Sequence, residues 1–304
     1  MESEYCDKNG AAMTKEEVNA LPADALAERS GIPLKVFPDT DPLYDAVAEV
    51  MIETVLAAPD GRATMILPVG PIGQYPVFAR KVRDRNIDCR NLRTFHMDEF
   101  VDRNGRTVPE DHPMSFKGII LKHLFTQIPA KLRMPIEQLH FPRLDNMDEI
   151  DRAFDEHAPD GVDLCLGGAG PAGHIAFNEN PDFNHVRVSD DEFLADRTRL
   201  VMVDASTVDM DALVASCGDR AAVPPFSVTV GPRDLLRSKR MEAIFFAGRF
   251  QRYALRQVMF LRPTHRFPGS LLKVRIQPDG SLTRQNITVW ATEMEVGPIT
   301  TQTI

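Results

Sequence analysis

Apolar positions along the chain fall into short unbroken runs separated by stretches of helical spacing. Leu34 to Phe37 forms the first run. Asp41 then opens a segment in which Leu43, Val47, Val50, Met51, Val55 and Leu56 recur at three- and four-residue intervals, which predicts a strand followed by an amphipathic helix. Thr64 to Val69 repeats the strand signal and runs into Gly70-Pro-Ile-Gly73, and Tyr75 to Arg85 has helical character. Further strands are predicted at Leu92–Met97, Val162–Leu166, Arg199–Val203, Ser227–Val230 and Met241–Phe246.

Short buried strands alternating with helices predict an α/β protein with an open, mostly parallel sheet covered by helices on both faces. Residues 1–30 are polar and acidic with helix formers from Thr14 to Leu26, and are expected to be an N-terminal arm. Residues 31–304 then make one domain. In such sheets, ligands bind beyond the carboxyl ends of the strands.

Composition narrows the function. The 304 residues carry 44 acidic and 35 basic side chains, a formal charge of −9, so the overall field disfavours nucleic acid and anionic membrane surfaces. An anionic substrate therefore needs a locally basic pocket. Four cysteines without Cys-x-x-Cys spacing fit a reducing compartment. The first residues show neither a basic leader nor an apolar run, and no stretch approaches bilayer-spanning length, so a cytoplasmic protein is expected.

Three segments at strand ends carry chemistry. Leu92-Arg-Thr-Phe-His-Met-Asp-Glu-Phe100 delivers two adjacent carboxylates, Asp98 and Glu99, which the strand alternation sends to opposite sides. Leu164-Cys-Leu-Gly-Gly-Ala-Gly-Pro-Ala-Gly-His-Ile-Ala-Phe-Asn-Glu179 places Gly168 and Gly170 where backbone approaches a ligand closely. It ends in His174 and Glu179, an imidazole and a carboxylate able to move a proton near neutral pH. The turn Pro68-Val-Gly-Pro-Ile-Gly73, with Gly70 and Gly73, has the position of a phosphate-cradling loop but no Ser, Thr or Lys. Each segment also has a plainer reading: a solvated carboxylate pair, a histidine packed on Ile175-Ala-Phe177, and an ordinary strand-to-helix turn.

Taken together, Phe95-His-Met-Asp-Glu-Phe100, His112-Pro-Met-Ser-Phe116, Gly167-Gly-Ala-Gly-Pro-Ala-Gly-His-Ile-Ala-Phe-Asn-Glu179, Arg197-Thr-Arg199 and Val223-Pro-Pro-Phe-Ser-Val-Thr-Val-Gly231 resemble the glucosamine-6-phosphate deaminase (isomerase) family. The matches keep their order from about Ile32 to Val296. The 6-phosphogluconolactonases share the Gly-rich turn ending in Gly-His but do not normally continue with Ile-Ala-Phe-Asn-Glu, so the deaminase branch fits better.

The resemblance implies an enzyme that opens the ring of an amino-sugar phosphate, moves a proton between C2 and C1, and releases ammonia. It implies no metal or organic cofactor. By similarity Asp98 is the base, His174 assists ring opening and Glu179 holds it. Homo-oligomers are common in the family.

The chain departs from the family at several positions. Ala172 stands where the family has an Asp two residues before the histidine. The family's lysine in a Gly-x-x-Lys-Ala turn becomes Arg252, with one residue inserted. A further arginine is expected near Leu213, and Arg220 is its substitute; Arg252 and Arg220 are thus the candidate phosphate ligands. Near Arg199, Val201 replaces an expected Lys, and regulation by an activating amino-sugar is not expected. Two readings stay open: a deaminase/isomerase-like enzyme with an altered sugar-phosphate substrate, and a catalytically impaired sugar-phosphate-binding sensor or partner protein.

Overall fold

The structure is a computed structural model that describes residues 3–184 and 187–300. Ten strands and six helices position the site. The strands are β1 Leu34–Phe37, β2 Thr64–Leu67, β3 Arg93–His96, β4 Asp98–Val101, β5 Leu139–His140, β6 Leu164–Gly167, β7 Arg199–Met202, β8 Phe226–Thr229, β9 Met241–Phe245 and β10 Ile287–Thr292. The helices are α1 Thr40–Ala57, α2 Gln74–Arg85, α3 Phe116–His123, α4 Met147–His157, α5 Ala205–Ala215 and α6 Arg252–Phe260.

Seven strands pair in the order β1-β10-β9-β6-β2-β3-β5, and every pairing is parallel. Side chains alternate across this sheet. Ile66, Ala243, Phe245, Val289 and Ala291 join one apolar cluster, while Met65, Leu67, Ile244 and Trp290 join the cluster on the opposite face. Both faces are therefore buried, as near-continuous apolar strands require.

Two expected members of the sheet lie elsewhere. β7 and β8 form a second, antiparallel sheet with β4, in the order β4-β8-β7. A one-residue break at Met97 separates β3 from β4, so the run that begins in the main sheet ends in the small one. β7 is half covered, with Leu200 and Met202 exposed, whereas β8 is buried between its neighbours.

The first thirty residues do more than the expected arm. Tyr5, Met13, Val18 and Leu26 are buried in the main apolar cluster. The buried guanidinium of Arg256 on α6 donates to the carbonyls of Val18 and Leu21, and to that of Val296. This segment thus packs into the same core as α6, with its apolar positions buried and two of its carbonyls bound by Arg256. Among the described residues no helix is long and apolar enough to cross a membrane.

Candidate active site

The loops that leave the carboxyl ends of β2, β3, β6 and β9 meet around a cavity of about 440 Å³. Pro68 to Ile72, Met97 and Asp98, Gly167 to Gly170 and His174, and Phe246, Ala247, Phe250 and Gln251 all contribute. Phe116 of α3 and Thr207, Met210 and Asp211 of α5 close the remaining sides.

The adjacent carboxylates separate as the strand alternation predicts. Glu99 is 2% exposed and accepts four hydrogen bonds: from the N–H groups of Phe100, Phe116 and Lys117 at 3.0, 3.0 and 2.8 Å, and from the Ser115 hydroxyl at 3.1 Å. It anchors the first turn of α3, where a carboxylate meets unpaired N–H groups. Asp98 is 7% exposed, faces the cavity and has no hydrogen-bond partner among the described residues. Burial raises its pKa well above the usual carboxylate range, and the charges of Glu99 and Asp211 add to the effect.

His174 is held by a tight turn. The N–H of Gly170 donates to the His174 carbonyl at 3.0 Å, and a Cβ on Gly170 would lie 2.1 Å from the imidazole Nε2, so only glycine lets the ring lie there. The ring is buried, which lowers its pKa to about 4 and keeps it neutral at ordinary pH. Its Nδ1 pairs with the Thr207 hydroxyl at 3.1 Å.

Glu179 approaches the ring less closely than the sequence suggested. Its Oε1 is 4.0 Å from Nδ1 and makes no hydrogen bond, while Oε2 accepts the Asp204 N–H at 2.5 Å. Glu179 stands behind His174 and does not line the cavity. Burial pushes its pKa up to about 7, against the opposing influence of Thr207 and the Asp204 N–H.

The glycines divide. Gly70, Gly168 and Gly170 line the cavity. Gly73 does not: its missing side chain makes room for Tyr44, whose ring would lie 2.2 Å from a Cβ there.

Both candidate phosphate ligands lie away from the cavity. Arg252 opens α6 and directs its guanidinium to the Met294 and Pro298 carbonyls at 2.7 and 3.0 Å. Arg220 is exposed and paired with Asp209 at 2.5 Å. In this arrangement each guanidinium is engaged by those carbonyls or that carboxylate and is not brought to the cavity lining. Arg199 is likewise engaged, by Asn178 at 2.8 Å and Asp196 at 3.1 Å. Leu213 is 75% exposed on α5.

Two polar cavity residues on α5 escaped the sequence reading, Thr207 and Asp211. They lie four apart on α5 and so share a face. Asp211 faces the cavity with its pKa raised to about 6 by burial. Their spacing was visible, but polar and apolar residues are spread around this helix, with Leu213 and Val214 exposed, so no periodicity marks the inward face.

Comparison with known proteins agrees with this architecture. Residues 38–198 match the family described as glucosamine-6-phosphate isomerases/6-phosphogluconolactonase. A glucosamine-6-phosphate deaminase from Porphyromonas gingivalis is 31% identical over 74% of this chain and 81% of its own length. Glucosamine-6-phosphate deaminase 1 of Mus musculus is 32% identical over 65% of this chain and 63% of its own length, so the chain spans less than two thirds of that relative. Among solved structures, a monomeric glucosamine-6-phosphate deaminase superposes with a TM-score of 0.70 at 20% identity, covering 87% of this chain and 98% of the other. A 6-phosphogluconolactonase from Thermotoga maritima gives 0.58 at 18%, covering 86% and 98%. By the family match and the identity to its relatives, the chain belongs to the glucosamine-6-phosphate isomerase/6-phosphogluconolactonase family.

Proposed function

We propose that the protein is an enzyme of carbohydrate metabolism that moves a proton between adjacent carbons of a ring-opened sugar-type substrate, with Asp98 as the base. One observation carries this reading: Asp98 is buried, without a side-chain hydrogen-bond partner among the described residues, and turned into the cavity beside a neutral imidazole. A carboxylate in such surroundings gains basicity from desolvation.

The chemistry follows from that placement. Asp98 takes the proton from C2, the pair left behind forms a C1–C2 double bond, and the C1 carbonyl oxygen becomes an enol hydroxyl by taking a proton from the C2 hydroxyl or ammonium. Return of the proton to C1 leaves a C2 ketone from an aldose. From a 2-amino sugar it leaves an imine that water hydrolyses to the ketone and ammonia. His174 serves ring opening. With Nδ1–H donating to the Thr207 hydroxyl, Nε2 of the neutral imidazole is free to take the C1 hydroxyl proton and pass it to the ring oxygen, so the ring opens and the imidazole ends neutral. The four free cysteines suit work in a reducing, cytoplasmic compartment.

Ala172 and the 4.0 Å separation of His174 from Glu179 favour a second reading, a sugar-binding protein with impaired turnover. Assays for ammonia and ketose across phosphorylated and unphosphorylated amino sugars and aldoses separate the two. Turnover of at least one compound, lost in Asp98→Asn, is expected. Tight binding of a compound with no turnover anywhere in the panel would replace the enzyme by the binding protein.

A further inference from the structure

Every lysine and arginine of the chain lies among the described residues, and none of them lines the cavity. The polar side chains that do are Tyr44, Asp98, His174, Thr207, Asp211 and Gln251. Gln251 is already occupied, because its Oε1 accepts the N–H groups of Phe246 and Ala247 at 2.9 and 2.8 Å. His174 is neutral at ordinary pH. The turn 68–73 has no hydroxyl, and its two prolines supply no N–H.

A phosphate dianion entering this space would shed its water to meet two carboxylates and no counter-ion. Backbone N–H groups can offer it hydrogen bonds, but they do not cancel the charge. The rest of the wall is apolar, with Met97, Phe100, Phe116, Phe177, Met210 and Phe246 as its largest surfaces.

The carboxylates are the free groups. Asp98 is more than nine-tenths buried, has no partner among the described residues and is turned into the cavity. Asp211 faces the same space from α5 and has neither a hydrogen bond nor an ion pair among the described residues. It is near enough to Asp98 for its charge to be felt there.

We infer that the cavity takes a phosphate-free substrate bearing an amine, with Asp211 receiving the ammonium and the apolar wall receiving an uncharged remainder. The inference rests on the proposed proton transfer only for placing the reacting carbon at Asp98. It also supplies what that reaction needs, since an ammonium beside the two carboxylates favours their ionised forms and hence the base.

Binding of non-opening glycosides tests the charge preference apart from turnover. Calorimetric titrations of the full chain at about pH 7 would compare hexyl 2-amino-2-deoxyglucoside, hexyl glucoside and glucosamine 6-phosphate. The amino glycoside is expected to bind about tenfold or more tighter than either of the others, the effect of one charge-assisted contact. In Asp211→Asn its advantage over hexyl glucoside disappears, while circular dichroism stays unchanged. Tighter binding of glucosamine 6-phosphate, equal affinity for the two glycosides, no binding of the amino glycoside, or an advantage that survives Asp211→Asn would each overturn the inference. An intact amine preference in a protein without turnover would instead leave it standing and remove the proton-transfer reading.

Discussion

The Thr207 hydroxyl lies 3.1 Å from Nδ1 of His174, nearer than the Glu179 carboxylate that the linear motif pairs with that ring. The hydroxyl, reached from α5, is therefore the partner that holds the imidazole's orientation. Thr207→Val removes the partner without changing the shape. It should cost about 1 kcal/mol of stability, the net worth of one buried hydrogen bond. Nitrogen-15 spectra of the imidazole should show the fixed tautomer giving way to a mixture; an unchanged tautomer would return the orienting role to Glu179.

Asp98 and Glu99 are neighbours in sequence with opposite roles in the fold. Glu99 accepts four hydrogen bonds, so Glu99→Ala leaves N–H groups at the start of α3 without a partner and should cost about 3 kcal/mol or more. Asp98 has no partner to lose. Asp98→Asn should leave stability unchanged or raise it. Urea unfolding of the two variants checks the contrast, and the reverse order would contradict the assignment of Asp98 to the cavity.

Glu179 makes stability depend on pH. Its folded pKa, about 7, lies above the ordinary value of 4.5, so its contribution is fully present below about pH 4.5 and is lost as pH rises through 7. Glu179→Gln keeps an acceptor for the Asp204 N–H and removes the titration. Relative to the native chain it should gain about 2 kcal/mol between pH 5 and pH 8, measured by urea unfolding at both values. A gain that is larger at pH 5 would have the wrong sign.

Ala172 lies two residues before His174, in a turn closed by the Gly170 N–H on the His174 carbonyl. Ala172→Asp brings a carboxylate back toward a ring whose pKa burial has lowered to about 4. An opposite charge nearby should raise that pKa by about one unit, read from an NMR titration of the ring. If ring opening is the limiting step, turnover should rise with it.

Much of the scaffold was legible because it is written in local patterns. The buried runs of β2, β6 and β9, the spacing of α1 and the glycines of the 167–173 turn each specify their own conformation. Partner choice is not local. β7 and β8 read as strands, yet only tertiary pairing with β4 makes them a separate antiparallel sheet. The placement of Arg252 was hidden for the same reason, since the carbonyls of Met294 and Pro298 that hold it are more than forty residues away. At the site, Asp98 and His174 stood out by motif. Thr207 and Asp211 come from a helix whose mixed polar and apolar pattern hides its inward face, and with them the sign of the charge in the cavity stayed hidden.

The most direct test of the central claim is proton exchange at C2. The purified chain would be incubated in deuterium oxide with the panel compound that it turns over, and deuterium at C2 and C1 followed by NMR. The account predicts solvent deuterium at these carbons with the native chain, and a fall of about a hundredfold or more in Asp98→Asn. Exchange at the native rate in Asp98→Asn, in a protein that still binds the compound, would contradict it.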